Sequence, residues 1–285
     1  MRLGFLYSRI RKDEKLLLDA LEERGHDVVK VDVRDPQFSI GERPDELADL
    51  DLALNRCQES SRVRYVSMFC EHYDVPVVNG ARATTTCADK VRGSLALADA
   101  DVPTPRTEVS FDVESALESV ESFGYPCVIK PVTGSWGRLL AKIDTRDAAE
   151  AVLEHKQTLG SYEHSVFYVQ EFVEKPGRDI RVVAADGEPV AAMTRSAEHW
   201  ITNAARGGEA EAFEVDEEVR DLVERANDAV GGGLLGIDLM ETGDGYTVHE
   251  VNATCEFKAL NDAVPDVDVP ARIVDWLEAK AEAAE

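Results

Sequence analysis

Two carboxylates and an amide near the end of the chain form the strongest candidate site for chemistry. Glu250 and Asn252 are two residues apart in an apolar stretch that predicts a β-strand, so their side chains should point to the same face. A turn at 243–245 predicts a hairpin that places Asp238 on the neighbouring strand. Such oxygen ligands suit Mg²⁺, which binds carboxylates together with nucleotide phosphates. A polar, solvent-facing edge hairpin is the alternative, but the flanking residues are typical of a core.

Two lysines and a glycine-containing loop have the composition of a phosphate site. Lys130 ends an apolar strand, and the loop 133–138 that follows has glycines that let backbone N–H groups approach phosphate oxygens closely. Lys90 opens a predicted helix, where the helix dipole also favours an anion. A hairpin turn and a surface lysine are the alternative interpretations. Each signal is weak when it is taken alone.

The segment 175–206 is close to neutral, although the C-terminal part around it is strongly acidic. Its basic residues are Lys175, Arg178, Arg181, Arg195 and Arg206. Arginine is the usual ligand for planar anions, because its guanidinium binds two oxygens at once. Asn203 and the glycines after Arg206 add an amide and a flexible backbone. The segment therefore predicts anion binding, and paired surface charges are the alternative.

Other conspicuous residues are predicted to be structural. His249 should point away from the face of Glu250 and pack in the core, and Cys255 should pack as well. No Ser-His-Asp or Cys-His set can be assembled, so we expect no covalent nucleophile. No GxGxxG follows the first strand, which leaves a dinucleotide site without support. The glycines at 231–233 are predicted to end a helix.

The elements that must position these residues fall into three segments. Residues 1–83 alternate strand and helix, and this βαβαβ rhythm predicts a small parallel sheet. A helix over 87–99 and a proline-containing turn then lead into mixed strands and helices. Residues 166–285 are rich in hairpins and end in an amphipathic helix. The expected domains are 1–83, 84–165 and 166–285, in an α/β chain with an α+β C-terminal part.

Composition restricts the class of protein further. The 285 residues carry a formal charge of −25, from 31 basic and 56 acidic side chains. We expect no nucleic-acid partner, because phosphate neutralisation needs a basic surface. No apolar run reaches the roughly 18 residues of a membrane span, and the first residues are typical of a buried strand rather than a signal peptide. We therefore expect no membrane partner.

The cysteines and the excess of acid indicate the environment. Five widely spaced cysteines without a CxxC pair fit a reducing cytoplasm. The large negative charge and the preference for arginine over lysine favour adaptation to concentrated salt, which screens repulsion between surface carboxylates.

Taken in order, these motifs resemble the ATP-grasp ligases. The motifs that carry the resemblance are Lys90, 128–131, 134–138, 169–173, Asp238 and 249–252. The segments 203–208 and 252–258 are similar to the RimK-related branch, in its LysX/ArgX type. The resemblance covers essentially the whole chain. It implies an ATP-grasp fold with a Rossmann-like pre-ATP-grasp domain at the N-terminus.

The resemblance also implies roles for individual residues. Those that would contact ATP are Lys90, Lys130, Gly134, Ser135, Trp136, Gly137, Arg138, Gln170, Glu171, Phe172, Val173 and Arg181. Those that would hold Mg²⁺, as one ion or two, are Asp238, Glu250 and Asn252. Those that would face the transferred phosphate and the acyl substrate are Arg195, Asn203 and Arg206.

The implied reaction joins a carboxylate to an amine. ATP would phosphorylate the side chain of the C-terminal glutamate of a carrier protein, LysW, and the α-amine of a free amino acid would attack the acyl phosphate. Glutamate as acceptor would imply arginine biosynthesis, and α-aminoadipate would imply lysine biosynthesis. This branch often has asparagine after its Phe-Lys pair, whereas Ala259 follows Lys258 here. This departure favours glutamate, or the use of both.

Other functions and one assembly state follow from the same resemblance. One alternative is a glutamate ligase of this branch that acts on a coenzyme or on a ribosomal protein. The other is a nucleotide-binding regulator without catalysis. We also expect a homo-oligomer.

Overall fold

The computed structural model describes residues 1–58, 60–134, 139–158, 165–197, 199–200, 202 and 209–284. Their strands form a four-stranded parallel sheet, a four-stranded antiparallel sheet and a five-stranded antiparallel sheet. In the described part of the chain, no helix has the length and apolar content that crossing a membrane requires.

The first sheet is parallel and has the order β2-β1-β3-β4, as the βαβαβ rhythm predicts. Its elements are β1 (Arg2–Tyr7), α1 (Lys12–Glu23), β2 (Asp27–Asp32), β3 (Leu52–Asn55), α2 (Ser60–His72) and β4 (Val77–Val78). A short 3-10 helix, Asp45–Leu47, lies between β2 and β3. Because parallel strands all point the same way, the residues that follow β1, β2 and β3 meet at one edge of the sheet.

The helix predicted over 87–99 is confirmed as α4 (Lys90–Asp99), which starts three residues later than predicted, and a separate helix, α3 (Ala81–Cys87), precedes it. Asp89 separates them, because its backbone is extended and its carboxylate accepts hydrogen bonds from the backbone N–H groups of Val91 and Arg92. This is the geometry of an N-cap, which starts a new helix at Lys90.

The second sheet has the order β5-β8-β6-β7. Its elements and helices are β5 (Thr107–Ser110), α5 (Val113–Phe123), β6 (Cys127–Lys130), β7 (Ala141–Ile143), α6 (Arg146–Thr158) and β8 (Phe167–Glu171). Val120, Ile129, Ile143 and Phe167 belong to a core that is built within this segment alone.

The third sheet has the order β11-β10-β9-β12-β13. The elements of this part are β9 (Arg178–Ala185), β10 (Glu188–Ser196), β11 (Glu209–Ala212), α7 (Glu217–Val230), β12 (Leu234–Thr242), β13 (Gly245–Asn252), α8 (Lys258–Ala263) and α9 (Val269–Ala284). The predicted β12–β13 hairpin is confirmed. The predicted helix end at 231–233 is also confirmed, because Gly231 caps α7 with a left-handed backbone.

The first and third sheets share a hydrophobic core. Leu3 and Phe5 of β1 belong to the same buried cluster as Leu234 of β12 and Phe257. Asn79, after β4, links the first sheet to the third. Its side-chain amide donates to the carbonyl of Leu234 at 2.8 Å and accepts from the N–H of Leu234 at 2.6 Å. The ends of the parallel strands are thereby held beside the β12–β13 hairpin.

Candidate functional site

A cavity of about 1530 Å³ is lined by residues from all three sheets. This exceeds the roughly 300–1,000 Å³ of a pocket for one drug-sized ligand, so more than one substrate fits. The described residues that the sequence analysis assigned to the site all line it: Lys90, Lys130, Gly134, Gln170, Glu171, Phe172, Val173, Arg181, Arg195, Asp238, Glu250 and Asn252. The other predicted site residues lie outside the described residues: Ser135, Trp136, Gly137, Arg138, Asn203 and Arg206.

Lys130 is buried at the end of the apolar strand β6, and its side-chain amine points into the cavity. Its Nζ donates to Oε1 of Gln170 and lies 3.2 Å from Nε2 of His249. Gln170 is itself fixed, since its amide N–H₂ donates to the hydroxyls of Thr107 at 2.8 Å and Tyr168 at 3.1 Å. Burial lowers the pKa of Lys130 to about 7, although Glu250 acts in the opposite direction.

Lys90 reaches across the cavity from the first turn of α4. Its Nζ donates to the carbonyl of Gly134 at 2.9 Å and lies 3.2 Å from Oε1 of Glu250. Gly134 has a φ of 114°, which a residue with a side chain would adopt only with strain. The loop after β6 is therefore tied to the helix that carries Lys90.

The two carboxylates of the predicted metal site face each other across the hairpin. Asp238 of β12 is paired in register with Glu250 of β13, and Nδ2 of Asn252 lies 3.5 Å from Oδ2 of Asp238. Asp238 is only 6% exposed, whereas the side chain of Glu250 is 29% exposed. The more open carboxylate is thus the one that a metal would reach first.

The donor set fits Mg²⁺ better than a metal that prefers nitrogen or sulfur. Asp238, Glu250 and Asn252 offer only oxygen ligands, and Mg²⁺ is usually bound by one or two carboxylates together with waters and substrate phosphates. Within the ranges that the structure describes, no group of three or more His, Cys, Asp or Glu residues could enclose a metal by itself. An ion here would therefore share its ligands with a phosphate.

His249 does not pack away from Glu250, so that prediction is wrong. It is half-buried, it lines the cavity beside Lys130, and burial lowers its pKa well below the usual value. The cause is an irregularity in the hairpin: Asp238 pairs with Glu250, but the next residue, Leu239, pairs with Val248. A β-bulge of this kind leaves one residue unpaired and interrupts the alternation of faces.

Asp238 also holds the buried Arg195 and the largely buried Arg181. Both of its oxygens accept from Arg181, and Arg195 donates to it at 2.9 Å and to Asp179 at 2.6 Å. Burial alone would raise the pKa of Asp238, but the charges of Arg181 and Arg195 lower it to about 2. The carboxylate is therefore ionised, and the arginines have fixed positions on the cavity wall.

The basic residues of the segment 175–206 are divided by the fold. Lys175, Arg181 and Arg195 line the cavity, as anion binding requires. Arg178 instead forms two hydrogen bonds with Glu241, outside the cavity lining. For this arginine, the alternative of a paired surface charge is the correct one.

The adenine hinge predicted at 170–173 lies on one wall of the cavity. Glu171 is exposed, and its side chain accepts from the backbone N–H of Arg106 at 2.7 Å. The rings of Phe172 and Trp200 lie 6.2 Å apart. The backbone and the aromatic ring, rather than the Glu171 carboxylate, are thus the groups available to a flat base.

The sequence analysis missed the contribution of the first sheet. The residues that this sheet and its helices add to the cavity lining are Tyr7, Ser8, Arg9, Ile10, Arg11, Asp13, Arg34, Gln58, Arg62 and Val63. Most of them follow the carboxyl ends of β1, β2 and β3, which is where open α/β sheets bind ligands. A predicted parallel sheet already indicates a ligand site at its carboxyl edge, but the sequence alone does not show which residues line it.

Two family models match the chain. The LysX preATP-grasp domain matches residues 3–86, and the RimK-like ATP-grasp domain matches residues 87–277. The second match covers more than half of the chain and includes the lysines, the hinge and the carboxylates described above. These matches confirm the predicted ATP-grasp fold and its N-terminal pre-ATP-grasp domain.

The similarity to known proteins extends over most or nearly all of this chain. The alpha-aminoadipate–LysW ligase LysX of Saccharolobus solfataricus is 38% identical over 251 residues, which are 87% of this chain and 90% of the relative. The glutamate–LysW ligase ArgX of Sulfurisphaera tokodaii is 30% identical over 282 residues, 97% of this chain and 98% of the relative. The crystal structure of a RimK domain ATP-grasp protein from Sphaerobacter thermophilus has a TM-score of 0.81 at 30% identity, covering 97% of this chain and 99% of that one. The chain therefore belongs to the RimK-like ATP-grasp family, and it is an ATP-dependent ligase that forms amide bonds.

Proposed function

We propose that this ligase joins the side-chain carboxylate of the C-terminal glutamate of LysW to the α-amine of a free amino acid, through an acyl phosphate. The observation that carries the proposal is the large cavity, which combines a carboxylate pair with lysines and arginines. The names of the LysX and ArgX relatives support LysW as the carrier protein. They also support α-aminoadipate or glutamate as the amino acid that is joined to it. The product would enter lysine or arginine biosynthesis.

We propose Mg²⁺ at Glu250, Asp238 and Asn252, as one ion or two. When it is bound, the metal would neutralise charge on the phosphates of ATP. Lys130 and Lys90 would contact those phosphates, since both amines point into the cavity on the same side as Glu250. Arg195 would stabilise the charge that develops on the transferred group and on the acyl oxygen, because Asp179 and Asp238 hold its guanidinium in one orientation.

The protein needs no nucleophile of its own in this scheme. The acyl phosphate already contains a good leaving group, so the enzyme has to position the amine and exclude water. The cysteine thiols agree with this. Burial raises the pKa of Cys255, and it raises the pKa of Cys87 to about 12, so neither is a thiolate at neutral pH.

The decisive experiment offers glutamate and α-aminoadipate in competition to the enzyme with purified LysW, ATP and Mg²⁺. We expect the intact mass of LysW to increase by one amino-acid residue, with ADP released in equal amount. Omitting either the carrier or the amino acid should stop ADP release. ADP formation that proceeds equally well without carrier would contradict the proposal.

The titration of Lys130 leads to a pH prediction. Its pKa of about 7 means that a rise in pH removes the charge that attracts phosphate, so the affinity for ATP should fall as pH rises. The midpoint should lie above 7, because bound phosphate favours the protonated amine. In Lys130→Arg, whose guanidinium keeps its charge, the dissociation constant measured by calorimetry should stay level between about pH 7 and about pH 9. A wild-type profile as level as that of the variant would contradict the role of Lys130.

We also propose the domain limits 1–83, 84–165 and 166–285 and a cytoplasmic location. The cysteines support the location, because Cys57, Cys70, Cys87, Cys127 and Cys255 are all free thiols. The homo-oligomer stays a prediction.

A further inference from the structure

His249 is a polar side chain of the cavity that the proposed chemistry does not use. It is the residue that the β-bulge leaves without a partner on β12, and it lines the cavity together with Lys130 and Glu250. Its Nδ1 is buried and has no hydrogen-bond partner among the described residues. An unpaired buried nitrogen costs free energy, and an aliphatic side chain at this position would avoid that cost. The other nitrogen therefore has to account for the histidine.

That other nitrogen, Nε2, lies 3.2 Å from Nζ of Lys130. A protonated imidazole at this distance from an ammonium would place two positive charges side by side, so the ring is neutral when the lysine is charged. Nε2 then has the lone pair that accepts a hydrogen bond from the ammonium, and the ring proton is on Nδ1. Burial favours the same neutral form, since it lowers the pKa of His249.

Lys130 is thus held by two acceptors. The first is Oε1 of Gln170, whose amide N–H₂ group is fixed by the hydroxyls of Thr107 and Tyr168. The second is Nε2 of His249. An ammonium group has three N–H donors, so the acceptors found among the described residues leave one donor for a ligand oxygen. A lysine held in this way also loses less side-chain entropy when a ligand binds.

The bulge in the hairpin is what brings His249 to the amine. In a regular strand, a residue next to Glu250 would point to the opposite face of the sheet. The register shift between Asp238 and Leu239 interrupts this alternation, so both side chains line the same cavity. Bulges are frequent beside active sites, where they redirect one side chain.

We infer that His249 is a positioning residue for nucleotide binding, because its Nε2 holds the ammonium of Lys130 with one N–H left for a phosphate oxygen. The inference rests on the proposed contact between Lys130 and ATP. His249 acts through the lysine, and it is neither a metal ligand nor a direct contact of the nucleotide.

Two substitutions distinguish the two nitrogens of the imidazole. In His249→Gln the side-chain amide extends to the position of Nε2, whereas in His249→Asn it ends near the position of Nδ1. The dissociation constant for ATP is measured by calorimetry on the full chain, at constant pH and Mg²⁺. It should stay within about twofold of the wild-type value in His249→Gln. It should rise about tenfold in His249→Asn and in His249→Leu, because a hydrogen bond to a charged group is lost.

A double-mutant cycle separates a role through Lys130 from a general effect on packing. Lys130→Met removes the ammonium and leaves an apolar chain of similar length, which a buried site accommodates. In that background, His249→Leu should change the dissociation constant for ATP by less than about twofold. A role in packing alone would instead weaken binding by the same factor in both backgrounds, and that result would overturn the inference.

Thr247→Val is the matched control. Thr247 is on the same strand, and its hydroxyl donates to the carbonyl of Pro103 at 3.1 Å, outside the cavity lining. The substitution removes a hydrogen bond from β13, but the affinity for ATP should equal that of the wild type.

The remaining outcomes separate this inference from the proposals on which it rests. Unchanged affinity in His249→Leu overturns it, and so does rescue by His249→Asn in place of His249→Gln. If Lys130→Met binds ATP as tightly as the wild type, the proposed phosphate contact fails and the inference fails with it. The carrier-dependent increase in the mass of LysW tests the proposed reaction independently of all these variants.

Discussion

Glu250→Gln should lower kcat for ADP formation by about 10²–10³-fold, the size of effect that follows when one preorganised electrostatic contact in an active site is removed. Glutamine keeps the shape of the side chain but not the charge that would hold Mg²⁺. It also removes the ion pair with Nζ of Lys90, which lies 3.2 Å from Oε1. The Mg²⁺ concentration for half-maximal activity should rise in the same variant. Initial rates of ADP release over a Mg²⁺ titration measure both effects.

Glu241→Gln is the control for that experiment. Glu241 is in β12 beside the hairpin turn, where it accepts two hydrogen bonds from Arg178 outside the cavity lining. It removes the same charge from the same hairpin, and its kcat should be close to the wild-type value. If Glu250→Gln turned over as fast as Glu241→Gln, Glu250 would hold no catalytic metal.

Asp238→Ala should lower the free energy of unfolding by about 3–5 kcal/mol, the cost of removing one partner from a buried ion pair. Arg181 loses the carboxylate that accepts hydrogen bonds from its Nε and Nη2, and Arg195 loses one of its two carboxylate partners and keeps Asp179. Two guanidinium groups then stay in the protein interior without full compensation. Equilibrium unfolding in urea, followed by circular dichroism, measures the change.

Asp244→Ala gives the comparison. Asp244 lies in the exposed turn between β12 and β13, so its loss should change the free energy of unfolding by no more than about 0.5 kcal/mol. A change below about 1 kcal/mol for Asp238→Ala would mean that water solvates the two arginines. The hairpin would then not depend on the ion pairs for its stability.

The sequence predicts most of the site because the site residues lie in or directly after apolar strands. Lys130 comes at the end of such a strand, and the two-residue spacing of Glu250 and Asn252 places both on one face. Local alternation and turn chemistry are short-range properties, so they are visible without a structure. The hairpin that pairs Asp238 with Glu250 was predictable for the same reason.

The failures come from contacts between distant parts of the chain. The strand β11 has the sequence Glu-Ala-Glu-Ala, which has no hydrophobic signal and becomes a strand only by pairing with the edge of β10. The six-residue helix α8 is capped by Asp13, which is far away in sequence. The bulge that turns His249 into the cavity depends on the register of two strands. Register is a tertiary property, so the alternation rule alone could not reveal it.

The shared core of the first and third sheets limits how the molecule can be taken apart. Leu3 and Phe5 lose their partners if the N-terminal strands are separated from Leu234 and Phe257, whereas the core around Ile129 is complete within its own segment. A chimera between relatives could therefore exchange the second sheet with its two helices as a unit. The first sheet could be exchanged only together with the hairpin and the last helix, so the two ends of the chain would have to be inherited together.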